Sequence, residues 1–205
     1  MTYKRSYATG VVMADGQVFV VGGTEKGVAF SDAEAVYRPE IWNPETGEWT
    51  LADQQEVART YHSVALLQPA GRVFVGGGGL CGNCSTNHSD AEIYTPAYLY
   101  NDDGTLAARP EISSGPDSAG YGQTIDITVG NGMPITEFNL VRLSSVTHSV
   151  NTDQRFLSVD FTTDGNGGYE LTTPDNGNVA PPGYYMLFAM NDQGVPSEAK
   201  MIQIG

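Results

Sequence analysis

The side chains with the most chemistry to offer are few: three histidines, His62, His88 and His148, and two cysteines, Cys81 and Cys84. His62 directly follows Tyr61, so an imidazole and a phenol stand side by side before Val64-Ala65-Leu66-Leu67. Neighbours in a regular strand point to opposite faces, so both can meet one metal ion only where the strand is irregular or just beginning. His148 lies 86 residues later, in Val146-Thr147-His148-Ser149-Val150. It joins His62 only if its own loop is carried back to the start of the Tyr61 strand. Cys81-Gly82-Asn83-Cys84 fits a disulfide in a tight loop, a redox pair, or half of a zinc site with His88 and Asp90 beside it. The acidic side chains are scattered through turns, and no carboxylate pair has a spacing that suggests glycoside hydrolysis.

The elements that must position these groups show up as a repeat. At an offset of 55, Lys4-Arg5-Ser6-Tyr7 falls on Arg59-Thr60-Tyr61-His62, Gly16-Gln17-Val18-Phe19-Val20 on Gly71-Arg72-Val73-Phe74-Val75, and Gly22-Gly23 on Gly77-Gly78. Each copy reads as a strand, a glycine turn, a β-rich strand and a permissive diglycine loop. A further strand follows in each, Glu40-Ile41-Trp42 and Glu92-Ile93-Tyr94, and the first continues through Asn43-Pro44-Glu45-Thr46-Gly47 to Trp49. A four-stranded unit closing on a Trp and repeating at roughly 50 residues predicts kelch-type propeller blades. Two blades leave the sheet edges open, because propellers close with roughly 4–8 of them, so further blades are expected from the same gene or a partner chain.

Near Arg109-Pro110 the pattern changes to short alternating runs at 123–129, 138–143, 156–161, 184–190 and 200–204, separated by turn clusters such as Asp164-Gly165-Asn166-Gly167-Gly168. That spacing suits an immunoglobulin-like sandwich. The expected organisation is all-β: a partial kelch-type propeller of about two blades over 1–108, then a β-sandwich over 109–205. A formal charge of −14 repels phosphate backbones and anionic lipid heads, so nucleic acid and membrane surface are excluded as partners. Abundant Gly, Asn and Asp with scarce Lys suggest a turn-rich secreted protein, although Met1–Ser6 is not followed by the apolar core of a signal peptide.

Several segments resemble, in order and spacing, landmarks of the galactose oxidase and glyoxal oxidase family of copper-radical oxidases. They include Arg59-Thr60-Tyr61-His62-Ser63, Gly76-Gly77-Gly78-Gly79-Leu80-Cys81-Gly82-Asn83-Cys84, Thr147-His148-Ser149-Val150-Asn151-Thr152-Asp153-Gln154-Arg155 and Pro182-Gly183-Tyr184-Tyr185-Met186-Leu187-Phe188. The resemblance extends over nearly the whole chain and implies the family's C-terminal third, ending in its immunoglobulin-like domain. It implies that His62 and His148 ligate one copper ion and that Tyr61 is its axial ligand and the base for the substrate hydroxyl. Imidazole nitrogens with an oxygen donor suit Cu(II). Phe30 matches an aromatic residue of the substrate pocket, and Cys81 and Cys84 match a structural disulfide, after which His88 is expected to bond within its own loop.

The implied reaction takes a primary alcohol or aldehyde and O2 to the oxidised product and H2O2. The family also carries a second tyrosine crosslinked to a cysteine, which holds a radical. No early tyrosine here, Tyr3, Tyr7 or Tyr37, aligns with it, and there is no third cysteine. The chain alone is therefore expected to be inactive. The alternative expectation is a non-catalytic kelch and sandwich module that binds carbohydrate or protein.

Overall fold

Apolar residues at alternate positions between glycine turns make antiparallel strands, and the computed structural model, which describes residues 1–205, forms them where the repeat predicts. Strands β1 (Thr9–Val12), β2 (Val18–Val21), β3 (Glu40–Trp42) and β4 (Trp49–Leu51) form one four-stranded sheet in sequence order. Strands β5 (Ser63–Leu67), β6 (Val73–Gly77) and β7 (Ala91–Tyr94) form the second blade, which has three strands and not the expected four. The difference is local. Asn43 caps the turn into β4 by accepting from the Glu45 and Thr46 N–H groups, whereas the chain after Tyr94 meets Pro96 and winds into a 3-10 turn at Ala97–Leu99.

Each blade is tied by an arginine with a buried side chain paired to a glutamate, which is buried in the first blade and partly exposed in the second. Arg5 donates to the Gly22 carbonyl at 2.8 Å and pairs with Glu40 at 3.0 Å, while Arg59 donates to the Gly77 carbonyl at 3.0 Å and pairs with Glu92 at 3.2 Å. The glycines keep the offset of 55 but the arginines stand 54 apart: Thr9 faces Val21 and the equivalent Val64 faces Gly76, so the second blade has one more residue between its arginine and that register position. Tyr61 and His62 occupy that lengthened segment. The blades meet where a Cβ on Gly22 would lie 2.2 Å from the Arg59 carbonyl oxygen, so only glycine allows this approach.

The remaining strands are β8 (Glu111–Ser114), β9 (Ser118–Ala119), β10 (Thr124–Gly130), β11 (Ile135–Arg142), the short hairpin β12 (Val146–Thr147) and β13 (Val150–Asn151), then β14 (Phe156–Val159), β15 (Phe161–Thr163), β16 (Gly168–Thr172), β17 (Gly183–Asn191) and β18 (Lys200–Ile204). Two compact units result. One comprises 1–68, 72–94 and 144–154, the other 69–71, 95–143 and 155–205. Segment 95–108 thus packs with the second unit, and the His148 hairpin packs with the first, against β1 and β5, although the sequence around it belongs to the second.

The second unit is a sandwich of sheets ordered β15-β16-β10-β8 and β14-β11-β17-β18-β9. The run 156–161, expected as one strand, breaks at Asp160: β14 pairs with β11 and β15 with β16, so the chain switches sheets there. Ile127, Phe138, Leu171, Tyr185, Leu187 and Ile202 fill the core. No helix is long and apolar enough to cross a membrane.

Candidate metal centre

The lengthened segment of the second blade folds as a β-turn. Ser63 returns both its N–H, at 3.1 Å, and its hydroxyl, at 2.8 Å, to the Thr60 carbonyl. His62 takes the third position of this turn with φ 69°, a left-handed conformation that a non-glycine residue adopts only when its surroundings enforce it. The turn removes the alternation of a strand, and the Tyr61 and His62 rings stack with centroids 4.0 Å apart. This is the irregular strand start that the adjacent phenol and imidazole require.

His148 arrives on a two-residue hairpin. Thr147 pairs with Val150, leaving His148 (φ 51°) and Ser149 (φ 66°) as the loop of a type I′ turn, normally an Asn-Gly position. Its ring lies 4.7 Å from that of His62 and 5.8 Å from that of Tyr61. Three groups separated by up to 87 residues thus meet within the first unit.

Both imidazoles are oriented by their Nδ1 atoms. His62 Nδ1 donates to the Gly79 carbonyl at 2.6 Å, and His148 Nδ1 lies 2.6 Å from the Thr147 hydroxyl. Because a carbonyl can only accept, His62 carries its proton on Nδ1 and keeps a lone pair on Nε2 for a metal ion, the usual second hydrogen bond of a ligating histidine; His148 does the same in the tautomer that donates from Nδ1 to the Thr147 hydroxyl. Two such nitrogens beside a phenol oxygen fit Cu(II). Phe30 stands edge-on to Tyr61 at 5.1 Å, is 42 % exposed, and has φ 56°.

Tyr7 packs edge-on to Tyr61 at 5.1 Å and donates its hydroxyl to the Gly27 carbonyl at 3.1 Å. Sequence reasoning set this tyrosine aside, yet the repeat aligned it with His62, and its φ of 64° matches that of His62.

Cys81 and Cys84 form a disulfide, so neither sulfur is a thiolate available to zinc. No cluster of three or more His, Cys, Asp or Glu side chains capable of holding a metal ion occurs in the chain. His88 does not bond within its own loop through its ring. Its Nε2 lies 2.9 Å from Asp32 Oδ2, in the loop that carries Phe30, because the disulfide loop folds back over that segment.

A kelch motif matches residues 5–53, and a galactose oxidase-like early set domain matches residues 109–204. Galactose oxidase of Gibberella zeae is 45 % identical over 98 % of this chain and 30 % of its own length. Aldehyde oxidase GLOX of Vitis pseudoreticulata is 30 % identical over 100 % of this chain and 42 % of its own. A solved structure described as a novel fungal alcohol oxidase of the AA5 family, in complex with copper, superposes with TM-score 0.96 at 43 % identity, over all of this chain and 43 % of that one. An early set domain of the galactose oxidase-like type, preceded by a kelch motif, marks the galactose oxidase-like family here. The chain belongs to this family and corresponds to its C-terminal region. It spans about a third to two fifths of the length of these relatives.

Proposed function

We propose that this chain is the part of a copper-radical oxidase that supplies three ligands to one copper ion, His62 and His148 through Nε2 and Tyr61 through its phenol oxygen. The observation that carries the reading is the pair of Nδ1-anchored imidazoles with ring centroids 4.7 Å apart beside the stacked Tyr61 ring. The whole reaction would take a primary alcohol, RCH2OH, and O2 to RCHO and H2O2, or an aldehyde, water and O2 to the acid and H2O2. The metal, when bound, would lower the pKa of the alcohol and take part in electron transfer. Tyr61 would accept the hydroxyl proton at its phenol oxygen. Phe30 would form an apolar wall beside the substrate, and the left-handed turns would hold the imidazoles before the metal arrives.

Two-electron oxidation needs a second redox centre. Both cysteines are joined to each other, so a tyrosine–cysteine crosslink must come from the rest of the polypeptide or from a partner chain, together with the remaining blades. We assign the protein to the extracellular space, where a Cys81–Cys84 disulfide persists, and take the sandwich as the inherited domain that begins at residue 109.

Titration of Cu(II) into the protein with all its blades should give one equivalent bound, with nitrogen hyperfine structure in the EPR spectrum. His62→Ala and His148→Ala should each lose it. A folded sample that binds no stoichiometric copper would rule the reading out.

A further inference from the structure

We propose that Asp32 and His88 form a latch that positions Phe30, and through it sets which alcohols the site accepts. The proposal rests on the reading of Tyr61, His62 and His148 as the copper site with Phe30 on its substrate side.

Phe30 is a large apolar ring, partly in solvent, on a backbone in the left-handed region. A loop carrying such a residue relaxes unless its surroundings hold it. Edge-on packing against Tyr61 and His62 holds one side of the ring and leaves the other in solvent, so tethers on the backbone complete the holding. Asp32, two residues on, supplies one of them. Its Oδ2 accepts from His88 Nε2 at 2.9 Å, and its Oδ1 lies 3.5 Å from the Thr60 hydroxyl, at the long limit of a hydrogen bond. One carboxylate thereby ties three segments: the Phe30 loop, the turn that presents Tyr61 and His62, and the disulfide loop.

The far end of the latch is itself fixed. The Cys81–Cys84 disulfide closes the loop, the Asn87 side chain accepts from the Cys81 N–H at 3.1 Å, and the His88 N–H bonds the Gly78 carbonyl at 3.2 Å. The side chains of His88 and Asp32 are only 21 % and 29 % exposed, so water competes weakly for their hydrogen bond. The near end is hinged: Thr24 Oγ1 donates to the Ala33 carbonyl and the Tyr7 hydroxyl to the Gly27 carbonyl, which leaves the Phe30 peptide between two fixed points with Asp32 setting its path.

The side-chain polar partners of Asp32 and His88 are each other and Thr60, not the three proposed ligands, so both are positioning residues and not catalytic ones. A wall that holds the substrate equally in its ground state and its transition state contributes uniform binding, whose loss raises KM and leaves kcat unchanged. The latch should therefore appear in KM and in substrate preference, with kcat little changed.

The test uses the complete, copper-loaded polypeptide with benzyl alcohol and glycerol as substrates. Asp32→Ala and His88→Ala should raise KM for benzyl alcohol about tenfold with kcat within about threefold, the loss of one charge-assisted hydrogen bond. Phe30→Ala should do the same, and the Asp32→Ala/Phe30→Ala double variant should be no worse than Phe30→Ala alone, because the two act through one ring. Asp32→Asn, whose amide oxygen still accepts from His88, should restore KM to within about threefold. A fall in kcat at unchanged KM, or additive losses in the double variant, would overturn the proposal.

A second measurement needs no turnover. In copper-free protein, hydrogen exchange of the 27–33 amides should quicken about tenfold in Asp32→Ala and His88→Ala but not in Asp32→Asn. Unchanged exchange in a wild-type background that binds copper overturns the latch alone. Absence of copper binding in the wild type overturns the proposed function instead.

Discussion

The ring of His62 donates from Nδ1 to the carbonyl oxygen of Gly79 at 2.6 Å, so a backbone group of the loop leading into the disulfide sets the orientation of a proposed metal ligand. Gly79 in turn receives its position from Tyr61, whose carbonyl accepts the Gly79 N–H at 2.8 Å. The two residues of the turn and this glycine form a closed set of hydrogen bonds, in which moving any one turns the imidazole.

Gly79 cannot carry a side chain without moving. Its φ is 82°, and a Cβ would fall 2.3 Å from the Thr86 carbonyl oxygen and 2.6 Å from Asn87 Oδ1. Gly79→Ala should therefore displace its carbonyl, free the His62 ring to rotate, and weaken copper affinity by about 10–100-fold, as for other losses of a ligand's outer partner. A competition titration against a chelator checks this. Affinity equal to the wild type would show that His62 does not depend on Gly79.

Ser149 invites the opposite substitution. It sits at the second position of the type I′ turn with φ 66°, and its hydroxyl is buried without a hydrogen-bond partner. Ser149→Gly removes both costs, partly offset by the greater freedom of glycine in the unfolded chain, for a net gain of about 1 kcal/mol. Denaturant melts should show the higher midpoint with copper binding unchanged. A lower midpoint would mean that the serine packs better than its hydroxyl suggests.

The blades were legible because hairpin glycines and alternating valines recur at one spacing, and the sandwich because its strands are regular. What stayed hidden depends on contacts between distant residues. The change of offset from 54 at the arginines to 55 at the glycines is a single residue, invisible until Arg5 and Arg59 are seen bonding equivalent carbonyls. The proximity of His148 came through family resemblance and not from spacing, since nothing local in Val146–Val150 says where the hairpin lies. His88 was misplaced for the same reason: its partner Asp32 is 56 residues away. The sheet switch at Asp160 escaped because both halves of 156–161 have strand-forming sequences.

Arg59 is the residue on which the second blade most depends. It is fully buried, bonds the carbonyls of Gly77 and Asp90, and pairs with Asp90 and Glu92, while its own carbonyl accepts from Gly23 of the first blade. Arg59→Met keeps an unbranched apolar stem but removes the guanidinium and leaves those acceptors without their cation, two positions before Tyr61. The expected loss is about 3 kcal/mol, at the low end for buried pairs because Asp90 is 57 % and Glu92 26 % exposed. Thermal melting measures it, and copper affinity should fall in parallel. A melt within experimental error of the wild type would show that the carboxylates, and not the arginine, organise the strand.

The equivalent pair in the first blade makes stability depend on pH. Burial pushes the Glu40 carboxyl upward, but hydrogen bonds from the Thr2 N–H and the Arg5 guanidinium, the Arg5 charge and the Tyr3 N–H together outweigh it and hold Glu40 below the ordinary value of 4.5. The unfolded chain then binds more protons than the folded one in the window beneath that value. The contribution of Glu40 is fully present above 4.5 and is lost as pH falls through the folded pKa. Asp103, Asp117 and Asp164 are also held low, by hydrogen bonds from Thr105, Lys200 and the Asn166 N–H respectively, so acid sensitivity has several sources. Glu40→Gln separates them. It should lower stability at neutral pH by about 3 kcal/mol, because the Arg5 charge is left buried without its partner, while its stability should fall less steeply on acidification than that of the wild type. Urea melts at neutral pH and at about pH 3.5 measure both slopes. Equal slopes would mean that Glu40 keeps an ordinary titration in the folded protein.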